Sequence, residues 1–247
     1  MISIEGLYKS FREGLLGRKV HALQDVSIDI SPGEVFGFLG PNGAGKSTTI
    51  KILLNLIRPD SGRALILDHA VQDPMVRKKV GYLPENPYFY DYLSAKELLW
   101  FGGRASGVDS RILKSRISEL LDRVGLQAAE KRHLRTYSKG MVQRAGLALA
   151  LVHDPAVVIL DEPMSGLDPL GRKMVGDLIL ELKAQGKTVF FSSHILNDIE
   201  RFSDRIGIID EGRLRLTGNL AEVVSRGESL EDVFMRTIGA GEGGVRQ

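Results

Sequence analysis

The eight residues Gly40-Pro41-Asn42-Gly43-Ala44-Gly45-Lys46-Ser47 constrain this chain more than any other stretch. They satisfy G-x-x-x-x-G-K-[ST], and they stand in the context that pattern requires. An apolar run over Glu34–Leu39 reads as a strand before them, and a helical pattern from Lys46 through Ile57 follows, with Pro59 as a stop signal. Glycines let the backbone curl until successive N–H groups face phosphate oxygens, and the helix that follows presents its positive end to the same charge. Lys46 is expected to reach the β- and γ-phosphates of a nucleotide, Ser47 to ligate Mg²⁺ through its hydroxyl, and Thr48 to serve the α-phosphate side. The plain alternative is a glycine-rich surface turn, and the strand and helix flanks argue against it.

The rest of the pattern predicts an α/β fold. Strands are expected at Ile2–Gly6, at Gln24–Ile30 with Val26, Ile28 and Ile30 alternating, and at Ala64–Leu67 and Val80–Leu83. From 86 to 154 strand signals give way to three helical stretches. Ser94 with Glu97 forms a capping box for the first. Asp109 caps the second, which places Ile112, Leu113, Ile117, Leu120, Leu121 and Val124 on one face before Gly125 closes it. The third begins at Ser138 and runs through the apolar stretch to Val152. Strand Ala156–Leu160, a helix opened by Asp168 and Pro169, and strand Lys187–Ser192 then resume the alternation that builds a parallel sheet. A short helix over Ser229–Ile238 and a frayed, glycine-rich end at Gly239–Gln247 complete the chain.

Val157-Val158-Ile159-Leu160 runs into Asp161-Glu162, an apolar strand ending in two carboxylates. Such an end suits two jobs: Asp161 holding the metal, and Glu162 polarising the water that attacks the γ-phosphate. An isolated Asp-Glu pair is more often a solvated strand end. It gains its meaning from the phosphate loop upstream.

Three further motifs follow in order, and with them the chain resembles the ATP-binding cassette (ABC) ATPases over nearly its whole length. They are Ser138-Lys139-Gly140-Met141-Val142-Gln143-Arg144, similar to the family's signature stretch, then Ser165-Gly166-Leu167-Asp168, then Ser193-His194. The resemblance implies a phosphate-loop NTPase of the RecA-like type: a parallel sheet core with N-terminal antiparallel strands and an inserted helical subdomain. Its boundaries are expected at 1–85 and 155–220 for the ATP-binding core, 86–154 for the helical subdomain and 221–247 for a C-terminal helix and tail. It implies ATP and Mg²⁺ as cofactors and a head-to-tail dimer, a homodimer on this reading, in which Ser138 and the adjoining Gly140 meet the γ-phosphate held by the other copy's loop. It also implies His194 at the γ-phosphate or attacking water, Asp168 bridging the two subunits, and Phe11 stacking on adenine, with Tyr8 as the competing candidate. Two residues depart from the family's usual pattern. Glu85 stands where many members carry a magnesium-contacting glutamine, and Lys139-Gly140-Met141 replaces a glycine pair followed by glutamine. Both variants, with Ser229-Leu230-Glu231-Asp232-Val233-Phe234, look like the subfamily serving exporters of drugs, lipids and polysaccharides.

Composition narrows the alternatives. There is no cysteine, and the five histidines lack ligand-like spacing, so disulfides and structural zinc are not expected. A net charge of +2 from 33 basic and 31 acidic residues, without a Lys/Arg block, gives little surface for nucleic acid. No apolar run approaches the roughly 20 residues that span a bilayer, and residues 1–5 lack the order of a secretory signal. The resemblance implies a peripheral protein on the cytoplasmic face of the membrane, working with integral permease subunits. An ABC ATPase acting on ribosomes or chromosomes would resemble two cassettes in one chain or carry long coiled coils, whereas about 50 residues separate Glu85 from Ser138. A kinase built on the same phosphate loop is opposed by the ordered later motifs. Pro84 and Pro87 bracket Glu85 and argue for a loop, which cannot bury the following Tyr88, Phe89, Tyr90 and Tyr92 all in one direction, so some of these rings are expected to be exposed; the resemblance implies that this junction forms part of the permease-docking surface.

Overall fold

Alternation at Val26, Ile28 and Ile30 buries all three side chains in a strand that begins earlier than the pattern alone indicates. The computed structural model describes residues 1–13, 17–224 and 228–239. In chain order its elements are β1 (Ile2–Glu13), β2 (Arg18–Ile30), β3 (Val35–Leu39), α1 (Lys46–Leu53), β4 (Ser61–Ile66), β5 (His69–Ala70), α2 (Pro74–Arg77), β6 (Val80–Leu83), α3 (Ala95–Ala105), α4 (Ser110–Arg123), α5 (Lys139–Leu151), β7 (Val157–Leu160), α6 (Pro169–Ala184), β8 (Thr188–Ser193), α7 (Leu196–Phe202), β9 (Arg205–Asp210), β10 (Arg213–Asn219), α8 (Leu220–Val223) and α9 (Leu230–Gly239). The expected α/β fold with antiparallel N-terminal strands is present. The expected frayed end lies outside the described residues from 240 on, while Gly239 closes α9.

Two compact units divide the chain: Met1–Val76 with Phe190–Gln247, and Arg77–Val189. In the first, β2, β1, β4 and β5 form an antiparallel sheet, in which Ile2 faces Ile30 and Phe11 faces Val20. A second sheet orders β10, β9, β3 and β8, with β3 parallel to β9 and β10 antiparallel to it. Every residue of β3 is buried, which is why its sequence is a continuous apolar run rather than an alternation. Phe190 stacks on Phe36 at 5.9 Å between ring centroids and tilts on Phe38 at 5.4 Å. Helix α7 covers β3 so closely that a Cβ on Gly37 would lie 2.8 Å from Ile199 Cδ1.

Helix α1 stops four residues short of the expected Ile57, and its backbone explains the difference. Asn55 takes the left-handed conformation at φ 53°, its N–H donates to Ile52 O at 2.9 Å, and Leu56 N–H donates to Lys51 O at 2.9 Å. This Schellman arrangement satisfies the terminal carbonyls, and asparagine tolerates the positive φ it demands.

In the second unit β6 and β7 pair in parallel, and α3, α4 and α5 pack on one another. All the expected caps form. Ser94 and Glu97 exchange capping-box bonds, Asp109 accepts from Arg111 N–H at 2.8 Å, and Ser138 accepts from Met141 N–H at 3.3 Å. Gly125, at φ 64°, terminates α4, and Arg144 donates to the adjacent carbonyls of Val124 and Gly125, placing a cation at that helix's negative end. Leu113, Ile117, Leu120, Leu121 and Val124 are buried as the pattern requires. Ile112 is the exception: it is 53% exposed, because it lies at the edge of the apolar stripe next to the cap. Among the described residues no helix is long and apolar enough to cross a membrane.

Candidate nucleotide site

In the first unit the phosphate loop leaves the buried end of β3 and enters α1. Gly40 is needed because the backbone of β9 passes too close: a Cβ there would lie 2.4 Å from Ile209 O. Gly43 and Gly45 adopt φ values of 81° and 114°, conformations that a side chain disfavours. Gly45 is also the N-cap of α1 and has no side chain to offer its first amides. A helix start built this way directs backbone N–H groups toward an anion. Asn42 and Gly43 at the loop tip are exposed, Pro41, Ser47 and Thr48 are half-buried, and Ala44 is buried. Lys46 is only 6% exposed, and its ammonium donates to Gly40 O at 2.7 Å and Pro41 O at 3.3 Å. The fold thus holds that charge against the loop instead of releasing it to water.

The aromatic candidates Tyr8 and Phe11 lie on β1 at 42% and 41% exposure, so neither is the core residue that an N-terminal strand aromatic usually is. Lys9 Nζ sits 5.5 Å from the Phe11 ring centroid. His194 follows β8 and is exposed, and the turn that carries it is fixed by Ser193 Oγ, which accepts from Ile195 N–H at 2.9 Å.

In the second unit β7 delivers Asp161 and Glu162, which are 4% and 7% exposed and so are not a solvated strand end. Asp161 N–H donates to Leu83 O at 2.8 Å, extending the β6–β7 ladder by one bond. Glu162 takes φ 49°, a left-handed conformation that costs a non-glycine residue energy and that clusters at functional sites. Its carbonyl accepts from Ser165 N–H at 3.0 Å, while buried Gln143 of α5 donates to Pro163 O at 3.4 Å, bracing the turn that presents the carboxylates. Glu85, just beyond β6, is exposed.

The structure adds Tyr82 to this group. Burial first, then the Asp161 and Glu85 carboxylates, push its phenol up to about 12, which identifies both acids as its electrostatic neighbours. The sequence marks Tyr82 only as part of the strand Val80–Leu83, and nothing local distinguishes a strand tyrosine near a carboxylate from one in the core. Because the folded value lies above the ordinary 10.0, the neutral phenol favours the folded state below that value, and the contribution is lost as pH rises toward about 12. Urea unfolding of the nucleotide-free protein is expected to show stability falling more steeply over that interval than in Tyr82→Phe.

Ser138 is exposed at the start of α5, half-buried Gly140 lies against Leu167, and Gly166 at φ 71° lies against Lys139. The signature stretch and the Ser165–Asp168 turn are therefore neighbours. Asp168 caps α6 by accepting from Gly171 N–H at 2.7 Å.

A glycine-shaped phosphate loop on one β–α unit, with paired buried carboxylates ending a parallel strand on another, defines a phosphate-loop ATPase. The family model described as ABC transporter matches residues 23–165. The chain is 51% identical to an ABC transporter ATP-binding protein of Synechocystis sp. over 92% of its own length and 65% of that protein. It is 42% identical to the bacitracin transport ATP-binding protein BcrA of Bacillus licheniformis over 78% of its length and 63% of that protein. It thus spans about two thirds of the length of these curated relatives. A solved ATP binding subunit of an ABC transporter superposes with a TM-score of 0.85 at 30% identity, over 96% of this chain and 99% of the other. The dimeric structure of MJ0796, a bacterial ABC transporter cassette, does so with a TM-score of 0.82 at 26% identity, over 90% and 99%. This chain belongs to the ABC transporter family, as an ATP-binding domain of the ATPase class.

Proposed function

We propose that the chain is the motor subunit of an exporter, in which two copies close on ATP and reopen on hydrolysis while separate membrane permease subunits turn that motion into translocation. The observation that carries this reading is the buried Asp161-Glu162 pair with its strained backbone, in a chain whose glycine-rich loop holds a buried lysine. A bacitracin transport protein among the relatives and a dimeric cassette among the neighbours support it.

Each residue's role follows its chemistry. The backbone N–H groups of the Gly40–Gly45 stretch, other than Pro41, which has none, supply donors for the phosphates, Lys46 a mobile charge for the β- and γ-oxygens, and Thr48 a contact on the α-phosphate side. Mg²⁺ takes hard oxygen ligands, commonly one or two carboxylates with substrate phosphates. The Ser47 hydroxyl and the Asp161 carboxylate fit that set, and Glu85 is a third oxygen donor in place of the usual glutamine. Bound Mg²⁺ would neutralise charge on the phosphates. Glu162 would take the proton of the attacking water, His194 would orient that water or the γ-phosphate, and Ser138 with Gly140 would meet the nucleotide held by the other copy. Phe11 or Tyr8 would stack on the base. The chain would work at the cytoplasmic face of the membrane, without nucleic acid as a partner, using 1–85 and 155–220 as core and 86–154 as helical subdomain.

The segment after Glu85 is assigned to permease docking. Phe89 turns inward, with its Cζ 3.3 Å from where a Cβ on Gly146 would lie. Tyr88, Tyr90 and Tyr92 turn outward at 96%, 65% and 60% exposure, and the last two rings stand 5.6 Å apart. Exposed aromatic rings of this kind supply rigid contact area at interface cores. Tyr88→Asp and Tyr90→Asp are expected to abolish copurification with the membrane subunit while leaving ATP binding in place. Normal assembly by both variants would remove this segment from the docking surface.

A further inference from the structure

Two backbone segments of the first unit, β2 and the turn between β9 and β10, converge on the phosphate loop. Gly212, in the turn between β9 and β10, donates its N–H to Ala44 O at 2.9 Å, and Gln24 of β2 donates its N–H to Gly212 O at 2.7 Å. The Gln24 side chain adds two bonds: its Nε2 donates to Glu211 O at 3.0 Å, and its Oε1 accepts from Arg213 at 2.7 Å. No side chain fits at the junction. A Cβ on Gly212 would lie 2.7 Å from Ala22 O, and so would one on Gly45. Gly212 also sits at φ 74° and Glu211 at φ 47°.

We propose that the Glu211–Gly212 turn is a positioning element for nucleotide binding, with Gly212 and Gln24 as its positioning residues. That role rests on residues 40–47 being the nucleotide site. In a planar trans peptide the C=O of one residue and the N–H of the next point in opposite directions. Holding Ala44 O on the Gly212 N–H therefore fixes the 44–45 peptide plane and aims the Gly45 N–H away from the turn. Amide donors stabilise an anion best when their orientation is set before it arrives, so that binding costs no reorganisation. The same junction sets β2 against the loop. Val20, two residues before Ala22, faces Phe11 across the β1–β2 ladder. One clamp thus fixes the phosphate donors and the spacing to Phe11, one of the two aromatic candidates for the base.

The test is equilibrium binding of Mg-ATP and steady-state ATPase kinetics for the wild type, Lys46→Ala, Gly212→Ala, Gln24→Ala and Gln24→Glu, with melting of each protein measured without nucleotide. Gly212→Ala is expected to weaken binding by roughly tenfold or more, since its Cβ collides with Ala22 O at a left-handed φ. Gln24→Ala is expected to weaken it by roughly fivefold, the worth of a typical hydrogen bond. Gln24→Glu should fall between the wild type and Gln24→Ala, because a carboxylate still accepts from Arg213 but cannot donate to Glu211 O. In the Gln24 variants KM should rise while kcat stays near wild type and the nucleotide-free melting midpoint falls by only about 2–4 °C, the shift one hydrogen bond accounts for in a chain of this size; a merely structural role would move the midpoint and leave KM unchanged. If Gly212→Ala does not fold, the Gln24 variants decide. Wild-type affinity in both Gln24 variants, beside weakened binding in Lys46→Ala, overturns this inference alone; absence of Mg-ATP binding by the wild type overturns the nucleotide-site reading with it.

Discussion

Lys46→Ala is expected to lower the affinity for Mg-ATP by roughly 10- to 100-fold and to abolish measurable turnover. A charge-assisted hydrogen bond contributes about 1.5–3 kcal/mol, which converts to that range. The loop amides remain in the variant, but they are fixed dipoles, whereas the ammonium is a full charge on a flexible stem able to follow the γ-phosphate. The structure strengthens the expectation, because Lys46 is buried against Gly40 O and Pro41 O and its charge is held where an anion would meet it. Titration calorimetry with Mg-ATP checks the result. Unchanged affinity together with unchanged hydrolysis would remove the loop from the site.

The second large effect belongs to Glu162. Glu162→Gln preserves shape and most hydrogen-bonding capacity while removing the group that accepts a proton from water. A positioned general base contributes roughly 100- to 10,000-fold, so turnover should fall by at least the lower figure while ATP stays bound. The side chain is 7% exposed and its backbone is held at φ 49° by the turn to Ser165, so glutamine should occupy the same place. With hydrolysis blocked, two copies should remain closed around ATP, and light scattering with nucleotide should report a shift from monomer to dimer. A variant that hydrolyses ATP at the wild-type rate would exclude Glu162 as the base.

Much of this was legible because it is written in short-range chemistry. The phosphate loop, the caps at Ser94, Asp109, Ser138 and Asp168, the Gly125 terminator and the paired carboxylates each depend on residues close together in the chain, the loop on the eight from Gly40 to Ser47 and the others on shorter spans, and each stands where the sequence placed it. Helix capping and left-handed turns are satisfied by neighbours in the chain, so residue type and spacing suffice to specify them. That some rings after Glu85 would be exposed followed in the same way from the prolines that break the segment, while which ones turn outward, Tyr88, Tyr90 and Tyr92, did not.

What the sequence could not specify depends on partners far along the chain. Strands β9 and β10 escaped the pattern: β9 is a short apolar run whose burial comes from parallel pairing with β3, and β10 alternates among only half-buried positions. The raised phenol of Tyr82, the support of Gln143 beneath the carboxylate turn, and the grip of Gly212 on Ala44 share that character. Gly212 and Gln24 lie far apart along the chain, and a glycine after an acidic residue reads locally as an ordinary turn. Only the tertiary fold brings Ala22 O to within 2.7 Å of where a side chain at that position would begin, and steric exclusion between distant backbones leaves no mark in residue order.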